Sequence, residues 1–145
     1  MDWENLKGLV DPDLHKWKEN IVEMCNTPYA IENGIELVSI SKESVVVRKE
    51  TTPHDLNSNG VVHGATSFGV IDHAFAIIGN TDVRTVGLSC TINYYRPCFG
   101  GTLIAEAREV NRSRTLLTAD ISLHCEGKLI ASALCIGFIG EKPKK

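Results

Sequence analysis

The sequence has no excess of basic residues and no long apolar segment, and each absence removes a class of function. Fifteen Lys and Arg face 18 Asp and Glu, for a formal net charge of −3, so the general electrostatic footprint of a nucleic-acid-binding protein is missing. The longest stretch without a charged residue, 56–71, has sixteen residues, and the mostly apolar stretch 129–140 has twelve, whereas a membrane-spanning helix needs about 20. The N-terminal MDWENLKGLV lacks the basic and apolar regions of a secretory signal. We therefore expect a cytoplasmic protein that binds neither nucleic acid nor membrane.

Paired cysteine motifs are also missing. The five cysteines form no CxxC pair and no zinc spacing; they are Cys25, Cys90, Cys98, Cys125 and Cys135. An odd, scattered set predicts reduced thiols that mostly fill the core. The length and composition are typical: the chain has 145 residues, of which 43% are hydrophobic and 23% charged. This is the size and composition of one globular domain.

The first half of the chain predicts two helices and two strands. An acidic start with a proline, residues 11–13, precedes apolar residues at spacings of 3, 4 and 3, which form one helical stripe; they are Leu14, Trp17, Ile21 and Met24. A short helix is expected over residues 28–33, ended by Gly34 in the left-handed conformation. The segments IELVSI and SVVVRKET then predict short strands.

The second half predicts one buried helix followed by four strands. Residues 63–80 are apolar on nearly every side, which is typical of a buried helix. From residue 85 the period changes to alternation, and turn signals separate the later strands into successive hairpins. A single apolar helix needs a surface around it, which a strongly curved antiparallel sheet supplies. The predicted fold class is α+β: a curved antiparallel sheet wrapped around one long central helix, with an extra N-terminal helix.

Asp72 is the residue that is hardest to explain by packing. It lies between Ile71 and His73 in the most apolar helix of the chain, and ionised carboxylates are rarely buried without a partner. We expect a buried, functional carboxylate. The alternative is that Asp72 lies on a narrow solvent-exposed strip of the helix, or that it caps a neighbouring element.

His63 and Gly64 stand where a polar loop becomes this helix. The first N–H groups of a helix have no partner inside it, and they lie at the positive end of the helix dipole. Such a donor suits a developing oxyanion, and glycine allows a substrate to approach the backbone. The alternative is that Gly60 and Gly64 only shape a turn.

The spacing between these residues predicts a dimer. Gly64 and Asp72 are eight residues apart, hence about 12 Å along a helix. A carboxylate and an oxyanion donor that act on one reacting centre must both lie within about 3 Å of it. If both are catalytic, Gly64 of one subunit faces Asp72 of the other across a two-fold axis.

The pattern N-x5-HG-(small)-x6-D resembles the signature of hotdog-fold acyl-CoA thioesterases, most closely the phenylacetate-pathway (PaaI-type) and mammalian thioesterase-superfamily-member-2-like branch. Its positions here are Asn57, His63, Gly64, Ala65 and Asp72. The segments TPYAIENGIELVSI, NYYRP and GKLIASALCIGF resemble other parts of that branch. The resemblance implies one hotdog domain over residues 1–145, with residues 1–26 as a helical extension and residues 27–140 as the core.

The resemblance implies acyl-CoA hydrolysis without a metal or any other cofactor, coenzyme A being part of the substrate. It makes Asp72 the general base or the nucleophile of a mixed anhydride, and Gly64 the oxyanion donor. Asn57 would hold the carbonyl or the water, and His63 would position the thioester. Ala65 stands where the second glycine of the usual HGG lies. Gly87 stands where relatives carry a water-orienting serine, and Ser89, predicted on the same strand face, is a possible substitute.

Coenzyme A phosphates call for cations at the entrance of the site. The candidates are loop or strand-end residues, and the alternative for each is an ordinary solvated charge; they are Arg96, Arg112, Arg114 and Lys128. The expected partners are the acyl-CoA substrate and a second copy of the chain, with pairing of dimers into a homotetramer left open.

Two rival functions remain open at this point. One is a hotdog acyl-thioester hydratase or dehydratase, which needs a histidine that reaches a Cα or Cβ proton. The other is a non-catalytic module that binds acyl-CoA. The acyl group is also open, because Phe68, Phe75, Tyr94 and Tyr95 fit an aromatic or medium-chain pocket and equally a packed core.

Overall fold

A six-stranded antiparallel sheet curves around one long helix in the computed structural model, which describes residues 1–141. The helix α4 covers Gly64–Asn80. The strands are β1 (Ile35–Ile40), β2 (Ser44–Glu50), β3 (Arg84–Tyr94), β4 (Thr102–Arg112), β5 (Leu116–Cys125) and β6 (Lys128–Glu141), in the spatial order β1-β2-β4-β5-β6-β3. The predicted fold class is confirmed. The last four residues of the predicted 1–145 domain lie outside the described part.

The N-terminal region has more short helices than the two that the sequence predicts. Three short α-helices are present, α1 (Trp3–Leu6), α2 (Lys18–Cys25) and α3 (Pro28–Glu32), and α3 is the one expected over residues 28–33. Pro12–Trp17 form a 3₁₀ helix instead of the first turns of α2. Leu14 and Trp17, three residues apart, share one face of a 3₁₀ helix as they would of an α-helix, so their spacing does not distinguish the two. Asp11 accepts the Asp13 N–H at 3.0 Å and fixes the start of this segment.

Alternating residues of β4 and β5 build the core against α4. The inward side chains of both strands are fully buried and include several alanines; they are Leu103, Ala105, Ala107, Leu117, Ala119, Ile121 and Leu123. The small residues let the sheet approach Val70, Ala74 and Ile77 of the helix, which are also fully buried. Truncating one of the large residues would cost about 2–5 kcal/mol of stability.

The five cysteines are free thiols. Cys98, Cys125 and Cys135 are buried, which confirms the expectation that most of them fill the core. Within residues 1–141, the helices are too short or too polar to cross a membrane.

Strand β3 lies at the edge of the sheet and carries a β-bulge. Gly87 pairs with Gly137 of β6, whereas Ser89 pairs with Ile136, so the register shifts by one residue between them. The bulge breaks the regular alternation that the sequence predicts for this strand. Val86 and Leu88 are 65% and 59% exposed, and a long apolar edge strand is a template for pairing with another chain.

Candidate active site

The first turn of α4 leaves one backbone N–H free at the surface. His63 is the N-cap, with extended backbone (φ −60°, ψ 138°), and its Nδ1 accepts the Ala65 N–H at 3.4 Å. The His63 carbonyl accepts the N–H groups of Thr66 and Ser67 at 2.9 and 3.2 Å. The Gly64 N–H makes no hydrogen bond to any of residues 1–141. It is therefore an open donor at the positive end of the helix dipole.

The loop before α4 holds Asn57 beside this donor. The Asn57 Oδ1 accepts the backbone N–H groups of Asn59 and Val61 at 2.9 and 3.2 Å, and the Asn57 N–H donates to the Val61 carbonyl at 2.8 Å. These bonds use the carbonyl of the side-chain amide and leave its NH₂ group without a partner in the described chain. Asn57 thus offers a donor in a fixed loop.

A cavity of about 340 Å³ joins these two donors. Its lining comes from the loop, the first turn of α4 and the end of β3, and includes Asn57, Gly64, Ser67, Tyr94, Arg96 and Pro97. The Tyr94 hydroxyl donates to the Gly64 carbonyl at 3.2 Å. The edge strand therefore contacts the residue that carries the free N–H.

Asp72 lies alongside the middle of β3. The helix meets β3 on either side of it, because an added Cβ on Gly64 would contact the Tyr94 ring and one on Gly79 would contact Thr85. On β6, burial, the adjacent Cys90 thiol and the charge of Asp72 together raise the pKa of Cys135. The carboxylate therefore points to the β3–β6 edge of the sheet.

The expected burial of Asp72 is not found in the single chain. Its side chain is exposed, on a helix stripe with Ala65 and the 37% exposed Phe68. The single chain therefore fits the alternative, in which Asp72 lies on a narrow solvent-exposed strip of the helix. Even so, the surrounding protein removes enough water to raise the pKa of Asp72 above its ordinary value of 3.8. The physical reason for the exposure is that β3 ends the sheet, so within residues 1–141 no further strand covers this side of α4.

Gly64 and Asp72 do not meet within one chain. Both lie on α4, eight positions apart, so about 12 Å of helix axis separates them.

The bulge in β3 separates the two residues expected to orient water. Gly87 faces the helix, where an added Cβ would lie 4.0 Å from the Phe75 ring. Ser89 pairs with Ile136, which neighbours the helix-facing Gly137 in β6 and therefore points to the other side of the sheet. The prediction that Gly87 and Ser89 share a strand face is wrong, because the extra residue of the bulge inverts the alternation.

Arg112 is not an available phosphate ligand in the structure. Its guanidinium donates to both carboxylate oxygens of Asp82 at 2.9 and 3.1 Å and also to Glu109. This cluster lines a larger cavity of about 460 Å³ beside the end of α4, away from Gly64. Arg114 lies in the β4–β5 hairpin, is exposed, and makes no ion pair with the described residues.

A buried ion pair that was not predicted from the sequence lies next to the site. Lys49 Nζ and Asp55 Oδ2 are 3.3 Å apart, and their side chains are 6% and 3% exposed. A signal for it was present, because Lys49 continues the inward alternation of Val45 and Val47 in β2. A buried lysine requires an acidic or carbonyl partner.

A metal centre has no support in the described residues. Within residues 1–141, no three His, Cys, Asp or Glu side chains are placed to hold a metal ion. Asp55, one of the acids near the site, is engaged by Lys49 and Thr66.

A curved antiparallel sheet around one central helix, with a free N–H at the start of that helix, defines the hotdog-fold class. The comparisons with known proteins agree with this assignment. The model of the thioesterase superfamily matches residues 59–131. The acyl-coenzyme A thioesterase PaaI of Escherichia coli is 33% identical over 92 residues, which are 62% of this chain and 66% of that protein. This chain belongs to the thioesterase superfamily, and the predicted enzyme class, a thioester hydrolase, is confirmed.

Solved structures extend the likeness to nearly the whole chain. The structure of E. coli PaaI superposes with a TM-score of 0.83 at 30% identity, covering 90% of this chain and 98% of that one. A Streptococcus mutans protein bound to acetyl CoA superposes with a TM-score of 0.72 at 28% identity, covering 76% and 91%.

Proposed function

We propose that this protein hydrolyses acyl-CoA thioesters to a free acid and CoA. The observation that carries the proposal is the free N–H of Gly64, a residue that lines the same cavity as Asn57. The similarity to a named acyl-coenzyme A thioesterase and to a structure with bound acetyl CoA supports this substrate class.

The chemistry follows from three groups. Asp72, ionised, takes a proton from a water held near the Asn57 amide, and the water oxygen attacks the thioester carbonyl carbon. The carbonyl oxygen becomes an oxyanion and is stabilised by the Gly64 N–H. The C–S bond then breaks, and the CoA thiolate leaves and takes up a proton. Attack by Asp72 itself, through a mixed anhydride that water hydrolyses, uses the same groups.

The site needs two copies of the chain. Asp72 lies beside the unpaired edge of β3, and the same edge exposes Val86 and Leu88. Antiparallel pairing of β3 with β3 of a second copy covers Asp72 and brings it towards the other copy's Gly64. Covering would also remove more water from the Asp72 carboxylate and raise its pKa further.

The remaining predicted residues have narrower proposed roles. His63 caps the helix and fixes the start of the oxyanion donor, and Ala65 keeps the first turn small beside the entrance. Gly87 leaves space beside Phe75 on the helix-facing side of β3. Arg114 is the candidate for a coenzyme A phosphate in the β4–β5 hairpin.

Free CoA released from a panel of aryl, short and long acyl-CoAs tests the proposal. We expect turnover of at least one acyl class, and Asp72→Asn should lower kcat by about 10²- to 10⁴-fold. Free CoA should be measured by chromatography, because a thiol reagent would also react with accessible protein thiols, and Cys25 and Cys90 are only partly buried. Asp120→Asn is the matched control, since Asp120 is an exposed aspartate on β5, paired with Leu134 of β6.

The rival functions give different outcomes in the same panel. Hydration of an enoyl-CoA without CoA release would identify a hydratase. Binding of acyl-CoA without any turnover would identify a non-catalytic module. Either result, with folded wild-type protein, would overturn the proposed function.

A further inference from the structure

The buried Asp55 side chain connects three separate segments of the chain next to the Gly64 N–H. One carboxylate oxygen, Oδ2, accepts the Thr52 N–H at 2.8 Å and lies 3.3 Å from Lys49 Nζ. The other, Oδ1, accepts the Thr66 hydroxyl at 3.2 Å. Asp55 therefore links the end of β2, its own loop and the first turn of α4.

Asp55 stays ionised at this buried position because its partners compensate for the lost water. Burial alone would raise the pKa of Asp55, but the Thr52 N–H, Lys49 and the Thr66 hydroxyl outweigh it and hold the pKa below 3.8. Lys49 is in turn bound to the Asn33 carbonyl oxygen. Such a pair is costly to bury and adds little net stability, so its place beside a catalytic donor calls for another explanation.

The backbone of Asp55 acts on the same helix start. The His63 N–H donates to the Asp55 carbonyl at 2.7 Å. Asp55 thus contacts both the residue before Gly64, through its carbonyl, and the residue two positions after it, Thr66, through its carboxylate.

These two contacts fix the direction of the Gly64 N–H. The His63 carbonyl and the Gly64 N–H belong to one planar peptide and point in opposite directions. The carbonyl is held by the N–H groups of Thr66 and Ser67. A shift of Thr66 away from Asp55 would therefore rotate the plane of the His63–Gly64 peptide and change the direction in which the Gly64 N–H points.

We propose that Asp55, with Lys49 and Thr66, is a positioning residue that aims the Gly64 N–H at the thioester oxyanion. This inference rests on the proposed function. Asp55 also lies two positions before Asn57, in the loop that leads to α4. Both donors of the cavity, Gly64 and Asn57, therefore depend on Asp55.

Thr66→Val is the most direct test, because it removes one hydroxyl and keeps the shape of the side chain. We expect kcat to fall by about 5- to 100-fold, the range for a small misplacement of a catalytic group, with KM changed less than about twofold. Thr66→Ser restores the hydroxyl and should return kcat to within about threefold of wild type. Asp55→Asn should lower kcat at least as much as Thr66→Val does. Thermal melting checks that Asp55→Asn folds. If Asp55→Asn does not fold, the kcat of Thr66→Val decides the question.

Thr81→Val is the matched control, because the Thr81 hydroxyl also makes one hydrogen bond, to the Ile77 carbonyl at 2.8 Å, but at the far end of α4. It should change the melting temperature and leave kcat near wild type. Equal kcat losses in Thr66→Val and Thr81→Val, or no kcat loss in a folded Thr66→Val, would overturn the positioning role. The proposed function fails separately, if Asp72→Asn keeps full activity.

Discussion

The Tyr94 hydroxyl donates a hydrogen bond to the Gly64 carbonyl oxygen at 3.2 Å, which ties the edge strand β3 to the first residue of the central helix. The carbonyl belongs to the residue whose N–H is the proposed oxyanion donor. An edge that pairs with a second copy would therefore be coupled directly to the catalytic donor.

Tyr94→Phe should lower kcat several-fold and destabilise the protein by about 0.5–1.5 kcal/mol, the value of one hydrogen bond. Tyr95→Phe is the control, because the Tyr95 hydroxyl lies 2.7 Å from Ser132 Oγ on β6 and is hydrogen-bonded there rather than to Gly64. Kinetics and thermal melting of both variants measure the difference. A Tyr95→Phe rate loss as large as that of Tyr94→Phe would show that the bond to Gly64 has no special role.

Leu88→Glu should prevent pairing of the β3 edge and abolish activity while leaving the subunit folded. Leu88 is 59% exposed in the single chain, so a charge there is tolerated until a second strand covers it. Val110→Glu is the matched control, since Val110 is also 59% exposed and lies at a bulge, in β4. Light scattering gives the mass, and activity is measured at the same protein concentration. An active monomer of Leu88→Glu would contradict the shared site.

The acid limb of the pH–rate profile should lie above pH 3.8, because burial raises the pKa of Asp72 and the base must be ionised to act. The same shift has a consequence for stability. A raised carboxyl pKa means that folding favours the protonated form, so its contribution is present below pH 3.8 and is lost as the pH rises through the folded pKa. Asp72→Asn should thus melt no lower than wild type at neutral pH. An acid limb at or below pH 3.8, or a lower melting temperature, would contradict this assignment.

Most of the fold could be predicted because the hydrophobic periods change sharply along the chain. The strands β1 and β2 follow from two short β-rich segments with a polar turn between them, and the helix α4 follows from continuous apolarity. The bulge in β3 could not be predicted, because the residues around Gly87 alternate normally in the sequence while the pairing with β6 shifts by one.

The site was predicted in part, and the limits are physical. The position of Gly64 at the start of α4 follows from a loop motif next to an apolar run. The exposure of Asp72 depends on which strand lies at the edge of the sheet, and strand order is a property of the tertiary fold. The ion pairs of Arg112 with Asp82 and of Asp55 with Lys49 join segments that are distant in the sequence, so no local pattern predicts which residues pair. The one signal is that Lys49 lies at an inward-facing position of the alternating strand β2.

The most direct test of the central claim mixes two inactive variants. Asp72→Asn removes the base, and Gly64→Pro removes the N–H. Proline suits the first position of a helix, His63 before it is already extended (ψ 138°), and an added Cβ would lie 3.4 Å from the Tyr94 hydroxyl oxygen. Gly64→Ala adds the same Cβ, keeps the N–H, and should stay active.

If each site takes Asp72 from one subunit and the N–H from the other, every mixed dimer has one intact site. Random pairing makes half of the dimers mixed, so about one quarter of wild-type activity should return. Exchange is confirmed by native mass spectrometry of differently tagged subunits. Recovery to about that level is the predicted result, and no activity above the parent variants, with mixed dimers present, would contradict the shared site.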